Sequence, residues 1–301
     1  MKYALTKNET AISVLAIILA MVSITIGASL AKSMFSSINP EGVTFLRLTL
    51  SAVILFFVLR VWEVKFNRKN LVSVCLYGCT IAGMNLFFYL SIKTIPIGVA
   101  LAVELIGPLF VSIIFSQKRS DFLWAVLAAG GIYLLIPLSA SASELDPIGL
   151  AYAAAAGFFW GAYIIVGKKA GIQHGAKAPA LGLIIASLML LPIGVEALAL
   201  SHFNIDLVLL AVLVALLSSL VPLVLEMKAL RHLPTKTYGV LTSGEPVLGA
   251  IAGFLILREQ LGLIQLIGIA IIVFASIGSV LSPSQASKQI PSNTTTRVPV
   301  L

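Results

Sequence analysis

Charge is what this sequence lacks most: Asp, Glu, Lys and Arg make up only 11% of its 301 residues, against about 25% in a soluble domain. With 59% of residues hydrophobic, a water-soluble fold of this length would have nowhere to hide its apolar surface. Histidine and cysteine are scarce as well. The three histidines, His174, His202 and His232, fall in expected loops or at helix ends, and no H-E-x-x-H, P-loop or dinucleotide fingerprint occurs. Gly27, Ala28 and Ser29 form a weak G-x-S fragment, but no histidine within an apolar run is available to activate the serine. Cys75 and Cys79, the only cysteines, share one helix face without a metal-ligand set around them and read as small packing residues. These absences speak against an enzyme, against ATP-driven pumping within the chain, and against a cofactor or bound metal. The formal charge of +8 is spread between apolar runs instead of gathered in a basic domain, so no nucleic-acid partner is expected.

What the sequence does have is apolar runs of roughly 18 to 22 residues, each about the length that crosses a ~30 Å hydrocarbon core as a helix. Read against their polar interruptions, they predict ten transmembrane helices near 11–31, 43–60, 71–92, 95–116, 121–138, 148–166, 178–199, 207–229, 237–257 and 262–281. The connections are short, so neighbouring helices are antiparallel and no soluble domain is inserted. Lys2, Lys7, the run Ala11 to Ile26, and the small residues Ser29 and Ala31 imitate a signal peptide. The run is long for a signal segment, and it reads as a retained first helix. Residues 282–301 are polar with scattered Pro, Ser and Thr and read as a disordered tail.

Orientation follows from the basic residues. Of the twenty Lys and Arg, only Lys32, Arg47, Lys93 and Arg258 fall on one side of the ten expected helices. The other side, which holds both termini, is therefore cytoplasmic.

The two halves are related at an offset of 138 residues, which superposes Lys93 on Arg231, Pro96 on Pro234, Pro108 on Pro246, Asp121 on Glu259 and Gly130 on Gly268. The expected organisation is a cytoplasmic N-terminus (1–10), a five-helix repeat (11–138), a second (148–281), and the cytoplasmic tail (282–301). Five crossings are an odd number, so the two repeats are inverted relative to each other. Such a device lets one central site face each side in turn.

A charge at mid-membrane costs about 2.5 to 3.5 kcal/mol on insertion-derived scales, so a carboxylate there marks a pathway or finds a partner. Glu104 and Glu245 lie at similar depths, about 14 Å into the fourth and ninth expected helices, entered from opposite faces. The repeat superposes Glu104 on Thr242, one turn from Glu245. Each acid is near a proline, Pro108 or Pro246, that deletes a backbone donor and frees a carbonyl. The competing reading is a protonated glutamate bonded to a neighbouring helix. Arg47, with Lys32 and Lys93, puts three cations at the outer ends of the first three helices, available for a substrate carboxylate or equally for Glu41 or lipid headgroups. Asn85, Tyr89, Trp160 and Tyr163 are polar or aromatic candidates for a cavity lining, though Trp and Tyr also serve as interfacial anchors. Glu226, followed by Lys228, reads as a solvated pair near the cytoplasmic end.

At GASLAKSMF (27–35), GVTFLRLTL (42–50), GMNLFFYLSIKTIPIGVALAVELIGPL (83–109), LEMKALRHLPTKTYGVLTSGEPVLGA (225–250) and REQLGLIQLIGIAII (258–272), the chain resembles the EamA-type branch of the drug/metabolite transporter superfamily, and within it the threonine/homoserine exporter-like inner-membrane carriers. The resemblance implies an all-α membrane protein of ten helices in two inverted repeats, a central cavity, and export of small amino acids or related metabolites from the bacterial cytoplasm. The alternatives are a channel or uniporter for small neutral solutes, or a carrier of another metabolite or drug on the same fold. The expected partners are a small-molecule substrate and the lipid bilayer; a homodimer is compatible with the sequence.

Overall fold

The computed structural model describes residues 7–64, 68–114, 120–135, 145–199, 205–222, 225 and 241–281. Lys118, Arg119, His202, Glu226, Lys228, Arg231, His232 and the tail 282–301 lie outside the described residues. Every element among those described is helical.

The first long helix, α1 (Lys7–Ser33), passes through a 3-10 turn into α2 (Pro40–Val58). Pro40 starts α2 at a position where a missing N–H costs nothing. A second 3-10 turn follows Arg60, whose φ of 49° reverses the chain, and α3 (Arg68–Ile92) returns. The expected helix 95–116 is interrupted instead of continuous: α4 (Ile97–Glu104) and α5 (Ile106–Ile114) meet at Leu105. Pro108 explains the break, because its absent N–H would have bonded the carbonyl of Glu104 and its ring crowds that same carbonyl. α6 (Ser120–Leu135) ends the first half.

In the second half, α7 (Pro147–His174) outruns its expected end at 166 by two turns. Asp146 caps it, accepting hydrogen bonds from the N–H groups of Ile148 (3.0 Å) and Gly149 (3.3 Å). The bond from Ile148, foremost, holds the Asp146 carboxyl below its ordinary range. Then come α8 (Ala178–Ala199) and α9 (Ile205–Ala215), which runs into a π-helical turn at Leu216–Leu220. Pro246 opens α10 (Glu245–Ala252) as Pro40 opens α2. A second π turn, Gly253–Leu257, leads to α11 (Leu263–Leu281).

α3 packs along α7, α2 along α8 and α6 along α11, while α4 lies against α10. All eight residues of α4 are buried, so this short helix sits at the centre of the molecule. The crossing of α7 over the α4–α5 break is backbone on backbone. A Cβ on Gly107 would lie 1.7 Å from the Gly157 carbonyl oxygen, and one on Gly157 would lie 2.7 Å from that of Glu104. Large apolar side chains point outward over the whole surface, Phe57, Phe158, Ile172 and Leu263 among them. Among the described residues, four stretches are long and apolar enough to cross a membrane, and the remaining membrane candidates are shorter apolar helices. Lipid is the solvent that suits such a surface.

Candidate functional site

A cavity of about 760 Å³ opens where α1, α2, α3, α4, α5 and α7 converge with the Leu216–Leu220 turn and the start of α10. That volume falls within the ~300–1,000 Å³ range of small-molecule sites. Its walls are mostly apolar, with four ionisable side chains among them: Glu104, Glu245, Arg47 and Lys168.

The helix breaks set the acids. Glu104 is the last residue of α4 and is 6% exposed; Glu245 is the first residue of α10 and half-buried. A helix N-terminus favours a carboxylate at the Glu245 position. The two prolines act alike, since Pro246 withholds the N–H that Thr242's carbonyl would accept, as Pro108 does for Glu104. Thr242 lines the cavity with both acids, so the two residues equated by the 138-residue offset lie beside the same space.

Arg47, on α2, is 6% exposed. Its Nη1 donates to the Ser218 carbonyl (3.3 Å) and the Ser219 hydroxyl (3.4 Å), its Nη2 donates to Asn85 Oδ1, and its guanidinium carbon stands 4.8 Å from the centre of the Tyr89 ring. The Ser218 carbonyl belongs to the π turn, where the shift from i+4 to i+5 bonding turns backbone away from its usual partner. Asn85 is oriented by its own amide, which donates to the Ile81 carbonyl at 2.8 Å. All of these partners are neutral. Among the described residues no carboxylate is within ion-pair distance of Arg47, and its Nε has no partner.

At the other end, the Tyr77 and Tyr163 rings stack at 5.2 Å with their hydroxyls 3.2 Å apart. Lys168, one turn along α7 from Ile164, is exposed there. Ala28, Leu101 and Tyr89, at the opposite end, are all buried.

Of the residues expected from the sequence, Glu104, Glu245, Arg47, Asn85, Tyr89, Tyr163 and Pro108 all line this cavity, as does Trp160. Pro246 is buried next to Glu245 without lining it. The three outer cations part company. Arg47 turns inward without meeting Glu41, Lys32 is paired to Glu259, and Lys93 is exposed. Tyr77 and Ser218 went unforeseen. Tyr77 lies seven and eight residues before Met84 and Asn85, hence on their face of α3, but a mid-helix tyrosine carries no signal of its own. Ser218 acts through its backbone, to which sequence is blind.

The profile of the EamA-like transporter family matches residues 147–281. The threonine/homoserine exporter RhtA of Escherichia coli (strain K12) is 41% identical over 285 residues, which cover 95% of this chain and 97% of that one. Its counterpart from Salmonella typhimurium (strain SL1344) is 41% identical over 269 residues, 89% of this chain and 91% of that one. A solved crystal structure at 16% identity superposes with a TM-score of 0.60 over 88% of this chain and 96% of the other, a likeness of fold alone.

Proposed function

Since the chain belongs to the EamA-like transporter family, we propose that it is a secondary carrier of the bacterial inner membrane that exports small amino acids of the threonine and homoserine kind by alternating access. The observation that carries this reading is the set of charges in one buried cavity. Two acidic side chains and a guanidinium outside any ion pair suit a zwitterion, with its ammonium at Glu245 or Glu104 and its carboxylate at Arg47. At an effective dielectric of about 20, unit charges 4 Å apart attract by about 4 kcal/mol, enough to offset much of the desolvation of a small polar solute.

The carrier reading needs ten spans in two inverted repeats, residues 11–138 and 148–281, with both termini cytoplasmic. Two features support it. Two pairs of helices that the 138-residue offset equates pack on one another, α2 on α8 and α6 on α11, as a two-fold relation between the repeats allows. Both ion pairs among the described residues join connections assigned to one side by the basic-residue count: Lys177 to Glu63 at 2.8 Å on the cytoplasmic side, and Lys32 to Glu259 at 2.6 Å on the outer side.

The decisive experiment is counterflow in proteoliposomes. Preloading with unlabelled threonine should accelerate uptake of labelled threonine, and Glu104→Gln with Glu245→Gln should abolish that acceleration. Uptake indifferent to preloading would indicate a channel, and the carrier reading would be lost.

A further inference from the structure

Beyond the end of the cavity wall formed by Ala28 and Leu101 lies a polar cluster that the substrate site does not use. Lys32 is four residues past Ala28 on α1, and Ile97 is four residues before Leu101 on α4. Each is one turn, about 6 Å, further along the axis. The Lys32 ammonium donates to Glu259 Oε1 at 2.6 Å and to the Ile95 carbonyl at 2.9 Å, and the Ile97 N–H donates to Glu259 Oε2 at 3.0 Å. Glu259 thus neutralises a cation with one oxygen and caps the N-terminus of α4 with the other, where the helix dipole favours a negative charge. Its side chain is 12% exposed and that of Lys32 19%.

The chain is shaped to deliver this carboxylate. After the Gly253–Leu257 π turn, Arg258 takes a left-handed conformation with φ 59°. That bend folds Glu259 back until its N–H bonds the Gly253 carbonyl at 3.1 Å. A Cβ on Gly253 would lie 2.2 Å from Glu259 Oε2, so the glycine leaves the space that the carboxylate fills. Three separate segments, the end of α1, the entry to α4 and the loop before α11, are pinned by one side chain.

We propose that the Lys32–Glu259–Ile97 cluster is the outer gate of the carrier: intact, it holds the cavity shut toward the outside, and its rupture admits the outside to the cavity. It joins α1 and α4, in the first repeat, to a loop of the second, so it must break if the two repeats move apart at that end. The state described here is the one with this gate closed, while exposed Lys168 lines the cavity at its far end. The inference rests on the reading of the chain as a carrier, but not on the identity of its substrate.

The test is access to the cavity. In the full-length protein with Cys75→Ser and Cys79→Ser, Ala28→Cys places a thiol in the cavity wall one turn below the gate, and a membrane-impermeant maleimide is applied from outside in intact cells. Adding Glu259→Gln, or separately Lys32→Met, should raise the labelling rate about tenfold, the shift expected when one charge-assisted, partly buried contact is lost. Unchanged labelling in both variants would overturn the proposal. Should either variant fail to accumulate in the membrane, Lys32→Cys with Glu259→Cys in the same cysteine-free background supplies the answer. Joining the pair with a short bis-methanethiosulfonate, which loses a methanesulfinate to each thiolate and leaves two reducible disulfide links, should stop transport until reductant is added, and undiminished transport by the joined protein would overturn the proposal equally. Labelling needs no substrate, so a wrong amino-acid assignment would spoil counterflow and leave this result intact.

Discussion

Arg47 has neutral acceptors on two of its nitrogens, an aromatic face above it and, among the described residues, no carboxylate within ion-pair distance. A buried cation outside any ion pair is a burden on stability, which fits the proposed use of Arg47 as a place for a ligand's carboxylate. Arg47→Lys keeps the charge and loses the planar fork, so the apparent KM for threonine should rise about tenfold or more in proteoliposomes. Wild-type uptake should resist competition by threoninol, which keeps the ammonium and lacks the carboxylate. Sequence alone singled out Glu104 and Glu245, because a carboxylate inside an apolar run is conspicuous, and both line the cavity. It left Arg47 undecided between ligand, Glu41 and headgroups, since its partners Asn85 and Ser218 are 38 and 171 residues away. The Lys32–Glu259 pair, 227 residues apart, was invisible for the same reason. Asp146 is simpler. Its carboxyl is held low by the hydrogen bonds it accepts, so its support for α7 is complete above the unfolded value near 3.9 and is lost as pH falls through the lower folded value. Asp146→Asn should remove this acid-dependent fraying of the α7 N-terminus, measured by hydrogen exchange between pH 5 and 3.

Among the elements, the broken helices were half legible. Proline 108 announces a freed carbonyl, but whether the helix bends gently or parts at Leu105 depends on what crosses it, and Gly107 and Gly157 are unremarkable in a chain with 23 glycines. The contact distances separate glycines that composition cannot. Gly107→Ala would drive a methyl into the Gly157 carbonyl and should cost about 1–3 kcal/mol or more, read as a lowered melting temperature in detergent. Gly130→Ala meets nothing within 4 Å and should leave stability unchanged or improve it by up to about 1 kcal/mol. If both alanines behaved alike, the backbone crossing of α5 and α7 would be misdrawn. The π turns were not legible at all, because no residue type demands one.

For the molecule as a whole, the apolar runs and their charge bias carry most of the architecture, since length and polarity alone govern what can cross a bilayer. The packing of equated helices on one another needed coordinates. The proposed opposite orientation of the repeats predicts that Lys93→Cys reacts with an impermeant thiol reagent only from outside, and Lys177→Cys only from within; labelling of both from one side would break the proposed antisymmetry.

The bare backbone contact at Gly157 also has a mechanical side. It lies about 15 Å from the first residue of α7 and about 26 Å from the last, with backbone directly against backbone at Gly107. Used as a fulcrum it gives unequal lever arms, so a tilt that displaces the short arm by about 3 Å swings the long arm by about 5 Å in the opposite direction. A small relaxation at one mouth would then be geared up into a wide closure at the other.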